Sequence, residues 1–155
     1  MGLSPLVAVI AAAVACGQAE LAGSWQVQDT IPGGPRFVCG IGIDAEGRIE
    51  WATCERRIFP RARFGVDGSF SVTEVSGRIV GTVNDGSDDY HVLASMICGT
   101  QPLITGEVRP AFAPDDPTPF TGRRMSGAEV DRLVDENRSW REEKSRHGLP
   151  RPDAD

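Results

Sequence analysis

Asn84, Asp85, Asp88 and Asp89 gather hard oxygen donors in one short run, and His91 follows two residues after Asp89. Clustered carboxylates and amides are what calcium requires, but the EF-hand pattern needs a glutamate at its twelfth position, and Ser95 stands there if Asn84 is first. Asp89 and His91 could pair as orienter and base. Residues two apart on a strand share a face, yet no nucleophile or third partner lies within sequence reach of them. The chain also lacks a G-x-S-x-G elbow, an H-E-x-x-H pair, a P-loop and a paired-cysteine zinc motif. No catalytic residue, metal ligand or cofactor is therefore expected, and the acidic run is expected to be a polar hairpin turn.

A second cluster is basic. Arg56, Arg57, Arg61 and Arg63 lie close together around Pro60 and form a candidate anion patch, because guanidinium forks hold carboxylates and phosphates in bidentate fashion. The alternative is a solvated loop and edge strand, with Glu50 and Glu55 as neutralising neighbours. Lys144 is the only lysine against fifteen arginines, a skew that GC-rich coding also produces. With a formal charge of −6, nothing in the net charge draws the chain strongly toward nucleic acid or an anionic membrane surface, and no nucleic-acid partner is expected.

The third reactive type is cysteine, and its chemistry depends on the N-terminus. Leu6 to Ala15 is an unbroken apolar run, too short for the roughly 20 residues that span a bilayer and of the length of a signal-peptide core. Residues 1–15 are therefore expected to be an export signal, with Ala13 and Ala15 as the small side chains beside the cut. The ending Ala13-Val14-Ala15-Cys16 resembles the lipobox of bacterial lipoproteins. That resemblance implies lipidation of Cys16 and anchorage to the outer or inner membrane. A cut after Ala19 would instead release a periplasmic or secreted protein. Either route removes Cys16 from the thiol count and leaves Cys39, Cys54 and Cys98. Cys39 and Cys98 both fall on apolar strand faces and are the expected disulfide, with Cys54 as the third thiol.

These groups must be positioned by a β-rich body, residues 16–109. Trp25, Val27 and Asp29 alternate with glutamines before the turn chemistry of Pro32-Gly33-Gly34-Pro35. The stretch Gly23-Ser24-Trp25 resembles the G-x-W opening of the first strand in lipocalins and in small barrel-shaped protease inhibitors, which implies a tryptophan plugging one end of a barrel. A hairpin follows, with Gly47 in the left-handed position of its loop. Pairing Ile43 with Ile49 and Ile41 with Trp51 places Phe37, Cys39, Ile41 and Ile43 on one face, with Cys39 opposite Thr53. Turns at intervals of about ten residues then define a meander. Its inward candidates are Phe70, Val72, Ile79, Val83, Val92, Ala94, Met96 and Cys98. The fold class is all-β with a C-terminal helix: a small antiparallel barrel, or alternatively a two-sheet sandwich, of about 7–8 strands.

Four prolines in Pro110 to Thr121 mark residues 110–125 as a stiff linker. Ser126 with Glu129 has capping-box form and opens an amphipathic helix over 126–147, followed by a disordered tail over 148–155. Val130, Leu133, Val134 and Trp140 form its apolar face, which docks on the β body or on a partner. The function these features favour is a non-enzymatic binding or interaction module of the cell envelope. Its partner would be an envelope protein or small ligand, with the membrane reached through lipid on Cys16. The alternatives are an inhibitor of an exported protease and a small secreted hydrolase or metal-dependent enzyme.

Overall fold

The structure is a computed structural model that describes residues 14–73 and 76–146. Most of it is antiparallel strand: β1 (Val14–Ala15), β2 (Gly23–Asp29), β3 (Phe37–Ile43), β4 (Ile49–Arg56), β5 (Ala62–Phe64), β6 (Asp67–Thr73), β7 (Arg78–Asn84), β8 (Asp89–Cys98), β9 (Leu103–Pro110) and β10 (Thr118–Arg124). A short helix α1 (Gln18–Leu21) precedes β2, and α2 (Gly127–Arg146) ends the described chain. The expected export signal lies outside the described residues except for Val14–Ala15, which pairs with β8. The tail over 148–155 also lies outside them.

The strands form one sheet in the order β5-β4-β3-β2-β10-β9-β8-β7-β6. Every pairing in that order is antiparallel, and β2 lies beside β10, so the sheet is an up-and-down meander whose first long strand meets its last. It curls into a half-barrel. Its two sides approach at one point, where the Phe70 amide donates to the Gly47 carbonyl at 2.8 Å and Arg48 bridges to Ser69. Gly47 holds a φ of 87° there, the left-handed turn conformation that glycine adopts without steric cost. Alternation does the rest: on β8, Val92, Ala94 and Met96 face the core while His91, Leu93, Ser95 and Ile97 face out.

The all-β class with a C-terminal helix is what the strand and helix signals predict, with more strands than expected. The main addition is β10. Residues 110–125 are not a linker; only the turn after Pro110 separates β9 from Thr118–Arg124, which sits in the middle of the sheet between β9 and β2. Pro119 is tolerated because it falls near the start of the strand, where its carbonyl accepts the Thr30 amide at 2.9 Å.

The hairpin register is a second correction. Ile43 does pair with Ile49, but an irregularity between Gly42 and Ile43 leaves Glu50 as an extra residue on β4. Beyond it Trp51 faces Gly42, Ala52 faces Ile41, and Cys39 faces Cys54 instead of Thr53. That one-residue shift decides the cysteine pairing. The disulfides are Cys39–Cys54, with Cα atoms 4.0 Å apart, and Cys16–Cys98, with Cα atoms 5.6 Å apart. Cys39 and Cys98 are not partners, and among the described residues no cysteine is free.

One end of the barrel is closed. Trp25 is fully buried, as are Cys16 and Leu21 beside it. The indole Nε1 donates to the Leu21 carbonyl at 2.8 Å, and the Arg124 guanidinium lies 4.5 Å above the ring centroid. Arg124 also donates to the carbonyls of Ala22 and Glu20. A Cβ on Gly23 would collide with that guanidinium, and its φ of 130° disfavours any other residue. Gly23 and Trp25 therefore belong to one device, in which the G-x-W glycine makes room for the arginine that clamps the tryptophan. Gln18 completes the closure by donating to the Phe70 carbonyl and accepting the Val72 amide at 2.9 Å, which satisfies part of the β6 edge.

Candidate functional site

Between the Trp25 plug and the opposite end of the barrel lies a cavity of about 240 Å³. Leu21 forms its floor. Its wall comes from inward positions of nearly every long strand: Val27, Phe37, Cys39, Ile41, Ile43, Ile49, Phe70, Ile79, Val83, Val92, Ala94, Ile104, Val108 and Phe120. An eight-stranded barrel is about the size at which side chains either fill the interior or leave room for one small ligand. Here room is left, and Ala94 is the smallest side chain among the inward positions that line it.

The cavity reaches the surface at the end formed by the β2–β3, β4–β5, β7–β8 and β9–β10 connections. Phe37, Phe64 and Val66 on one side and Asp85 and Tyr90 on the other line it there, all half-buried. Among the described residues, Asp85 and Tyr90 are the only hydrogen-bonding side chains in the lining. The Tyr90 hydroxyl donates to Asp85 Oδ2 at 3.1 Å, while Asp85 Oδ1 accepts the Ser87 amide at 3.0 Å and the Asp88 amide at 2.8 Å. Burial pushes the Tyr90 phenol up, and the hydrogen bond to Asp85 adds to it, to about 12. Burial also pushes the Asp85 carboxyl up, but the Asp88 and Ser87 amides and the Ser87 and Tyr90 hydroxyls outweigh it and hold the group below its ordinary 3.8. The mouth thus presents a carboxylate and a neutral phenol to whatever enters.

Asp29 also serves this end. It is 1% exposed, and its Oδ1 accepts the Arg36 amide at 2.8 Å and the Phe37 amide at 3.0 Å, tying the β2–β3 connection to the barrel.

Compared with protein-family models, curated proteins and solved structures, the chain matches none. Its site is therefore defined by geometry alone.

The structure separates several residues that lie close together in sequence. Asp89 and His91 are exposed on the outer side of β8, where His91 pairs with Thr82 and Arg109, and neither lines the cavity. In the acidic run, Asn84 Oδ1 accepts the Gly86 amide at 2.7 Å and Asn84 Nδ2 donates to Asp89 at 2.8 Å, so these oxygens are spent within a polar turn. Among the described residues no group of three or more His, Cys, Asp or Glu is placed to hold a metal ion.

Cys16 requires a correction. Its sulfur is bonded to Cys98 and the residue is fully buried, so in this fold the thiol cannot carry a thioether-linked lipid. A cut after Ala19 would likewise remove both Cys16 and the Gln18 side chain that caps β6. The two disulfides fit an oxidising, extracytoplasmic environment. Among the described residues no helix is long and apolar enough to cross a membrane.

The arginine cluster is split. Arg56, Arg57 and Arg61 are exposed, whereas Arg63 is half-buried on β5 with its guanidinium 5.7 Å from the Trp140 ring centroid. Trp140 belongs to α2, which lies on the outer face of the sheet. Leu133 packs where a Cβ on Gly40 would stand, and Thr53 donates to Asn137 at 3.4 Å. The Glu129 amide donates to Ser126 Oγ at 3.2 Å, the expected N-cap. Of the expected apolar face, Val130, Leu133 and Trp140 are half-buried, while Val134 turns outward and is 43% exposed. Between α2 and the sheet runs a polar groove of about 160 Å³ where Arg57, Arg63, Arg123 and Arg132 face Glu55, Glu129 and Glu136. Arg123 is committed to Glu129 at 3.0 Å, and three carboxylates stand against the four guanidinium groups, so the groove is largely neutralised and not an anion cradle.

Sequence patterning located most wall residues but missed Leu21, Phe64, Val66, Ile104, Val108, Phe120 and the Asp85–Tyr90 pair. Phe120 was detectable, since Thr118, Phe120 and Gly122 alternate with Pro119, Thr121 and Arg123, but the surrounding prolines hid the strand.

Proposed function

We propose that this chain is an exported, non-enzymatic binding module that holds a small apolar molecule inside its barrel, with any polar end of that molecule at Asp85 and Tyr90. The observation that carries this is the cavity of about 240 Å³ with an almost entirely hydrocarbon lining and one polar spot at its mouth. A dry cavity of about 150 Å³ lined by Leu, Ile and Phe takes up benzene, so this one has space for a longer molecule. Among the described residues the lining holds a carboxylate and no cation. A ligand headed by an amine or hydroxyl can donate to Asp85, whereas a carboxylate head would be repelled.

Calorimetric titration with decylamine, decanol and decanoate tests the proposal. Decylamine and decanol are expected to bind and decanoate to bind at least tenfold more weakly. Ala94→Trp, which fills the cavity, is expected to abolish binding while the thermal transition remains cooperative. Absence of binding by all three to the folded protein, or undiminished binding by the filled variant, would refute it.

A further inference from the structure

The mouth end of the barrel carries a surface that cavity binding alone does not use. The β4–β5 connection reads Arg56-Arg57-Ile58-Phe59-Pro60-Arg61. Phe59 is 94% exposed at its tip and Ile58 is 39% exposed beside it. Arg56, Arg57 and Arg61 are all exposed, and Arg36 joins them from the β2–β3 connection, where its carbonyl accepts the Arg57 amide at 2.6 Å. The ion pairs found among the described residues use Arg48, Arg109, Arg123 and Arg138, and none of these four arginines. A second aromatic, Phe112, is 71% exposed on the β9–β10 connection at the same end.

An aromatic and an aliphatic side chain at a loop tip, ringed by guanidinium groups that form no ion pair among the described residues, match the layered chemistry of an anionic bilayer surface. The apolar tip enters the acyl boundary, and the arginines remain at headgroup level against lipid phosphates. Water is a poor environment for Phe59, and none of the described residues covers it. We infer that the Arg36, Arg56–Arg61 loop face is a docking site for an anionic phospholipid bilayer, set beside the cavity mouth.

Charge orients the contact. Asp85, Asp88 and Asp89 on the β7–β8 side and Asp115 and Asp116 on the β9–β10 side stand at the same end of the barrel and are repelled by an anionic surface. The molecule therefore meets the bilayer tilted, with the β4–β5 loop inserted and the acidic side of the mouth lifted away. Phe37, Phe64 and Val66, the apolar side of the mouth, lie nearest the inserted loop, so an apolar molecule could pass from lipid to cavity without crossing open water. Docking itself does not require the cavity to hold anything.

The test is sedimentation of the purified protein with vesicles of phosphatidylglycerol and phosphatidylcholine in equal parts, and with vesicles of phosphatidylcholine alone. Binding is expected to be at least tenfold stronger to the anionic vesicles and to fall steeply as salt is raised, a measurement that needs no variant. Phe59→Ser is expected to lower it severalfold, and R56S/R57S/R61S to reduce it to the level of the neutral vesicles. Circular dichroism of both variants should match the parent chain. Equal binding to the two vesicle types, or binding indifferent to these substitutions, would overturn the inference. So would failure to bind either vesicle, which would assign the loop to a protein partner. None of these outcomes bears on the decylamine titration, so the two proposals fail separately.

Discussion

At the scale of single residues, Tyr90 gives the most direct view of the mouth because it is the only tyrosine in the chain. Phenolate absorbance in the near ultraviolet should therefore titrate with a single midpoint near about 12 in the folded protein and near 10 once it is unfolded. A raised phenol favours the neutral form. Its contribution to stability is complete below 10 and is lost as pH rises through about 12. Asp85 has the opposite sign. Its depressed carboxyl stabilises the fold above 3.8, and that contribution is lost as pH falls through its lower folded value. Asp85→Asn should move the Tyr90 midpoint only part of the way toward 10, since burial is the larger cause and persists. At the closed end, Trp25→Ala removes a fully buried indole with its arginine clamp and should cost about 3–5 kcal/mol in chemical denaturation.

At the scale of elements, the β3–β4 hairpin and α2 depend on each other. β3 carries glycines at positions 40 and 42 on the face away from the barrel interior, and Leu133 and Trp51 lie over them. Gly40→Val should push α2 off the sheet at a cost of about 1–3 kcal/mol and open the 126–146 segment to limited proteolysis. An unchanged digestion pattern would mean that the helix is held some other way. The Cys39–Cys54 bond closes this hairpin with a sequence separation of 15. On loop-closure entropy it contributes about 3 kcal/mol, so the paired Cys39→Ser, Cys54→Ser variant should show that loss in the unfolding free energy, with a steeper denaturant slope because the unfolded chain is no longer cross-linked. Strand existence here was legible from alternation, but register was not. Nothing in Arg48 to Cys54 announces that Glu50 is the extra residue, because a bulge depends on how two strands twist against each other and not on either strand alone.

At the scale of the whole molecule, the barrel end, the compartment and the cysteines are one problem. Cys16 bridges the segment before β2 to the end of β8 across a sequence separation of 82, so oxidation links the N-terminal plug to the far side of the meander. Intact mass of the purified protein under non-reducing conditions should lie four hydrogens below that of the reduced chain, with no acyl addition. Peptide mapping should join Cys16 to Cys98 and Cys39 to Cys54. An acylated Cys16 with a free Cys98 thiol would restore the lipid anchor in place of the disulfide. A ligand held in the cavity should also raise the unfolding free energy by about 2.7 kcal/mol at a hundredfold excess over its Kd, an effect absent from Ala94→Trp.

Local chemistry in the sequence determined much of this molecule: strand alternation, the turn at Gly47 and the Ser126 cap each follow from residues close to one another. Tertiary structure decided what depends on distant partners. Arg124 reaches Trp25 only because β10 returns beside β2, Cys54 reaches Cys39 only because of the Glu50 bulge, and Cys16 meets Cys98 only because β1 pairs with the end of β8. The cavity belongs to the same class. An inward apolar residue looks the same in sequence whether its neighbours fill the space beyond it or leave that space for a ligand, because the empty volume is set by the curvature of the sheet and by all facing side chains together.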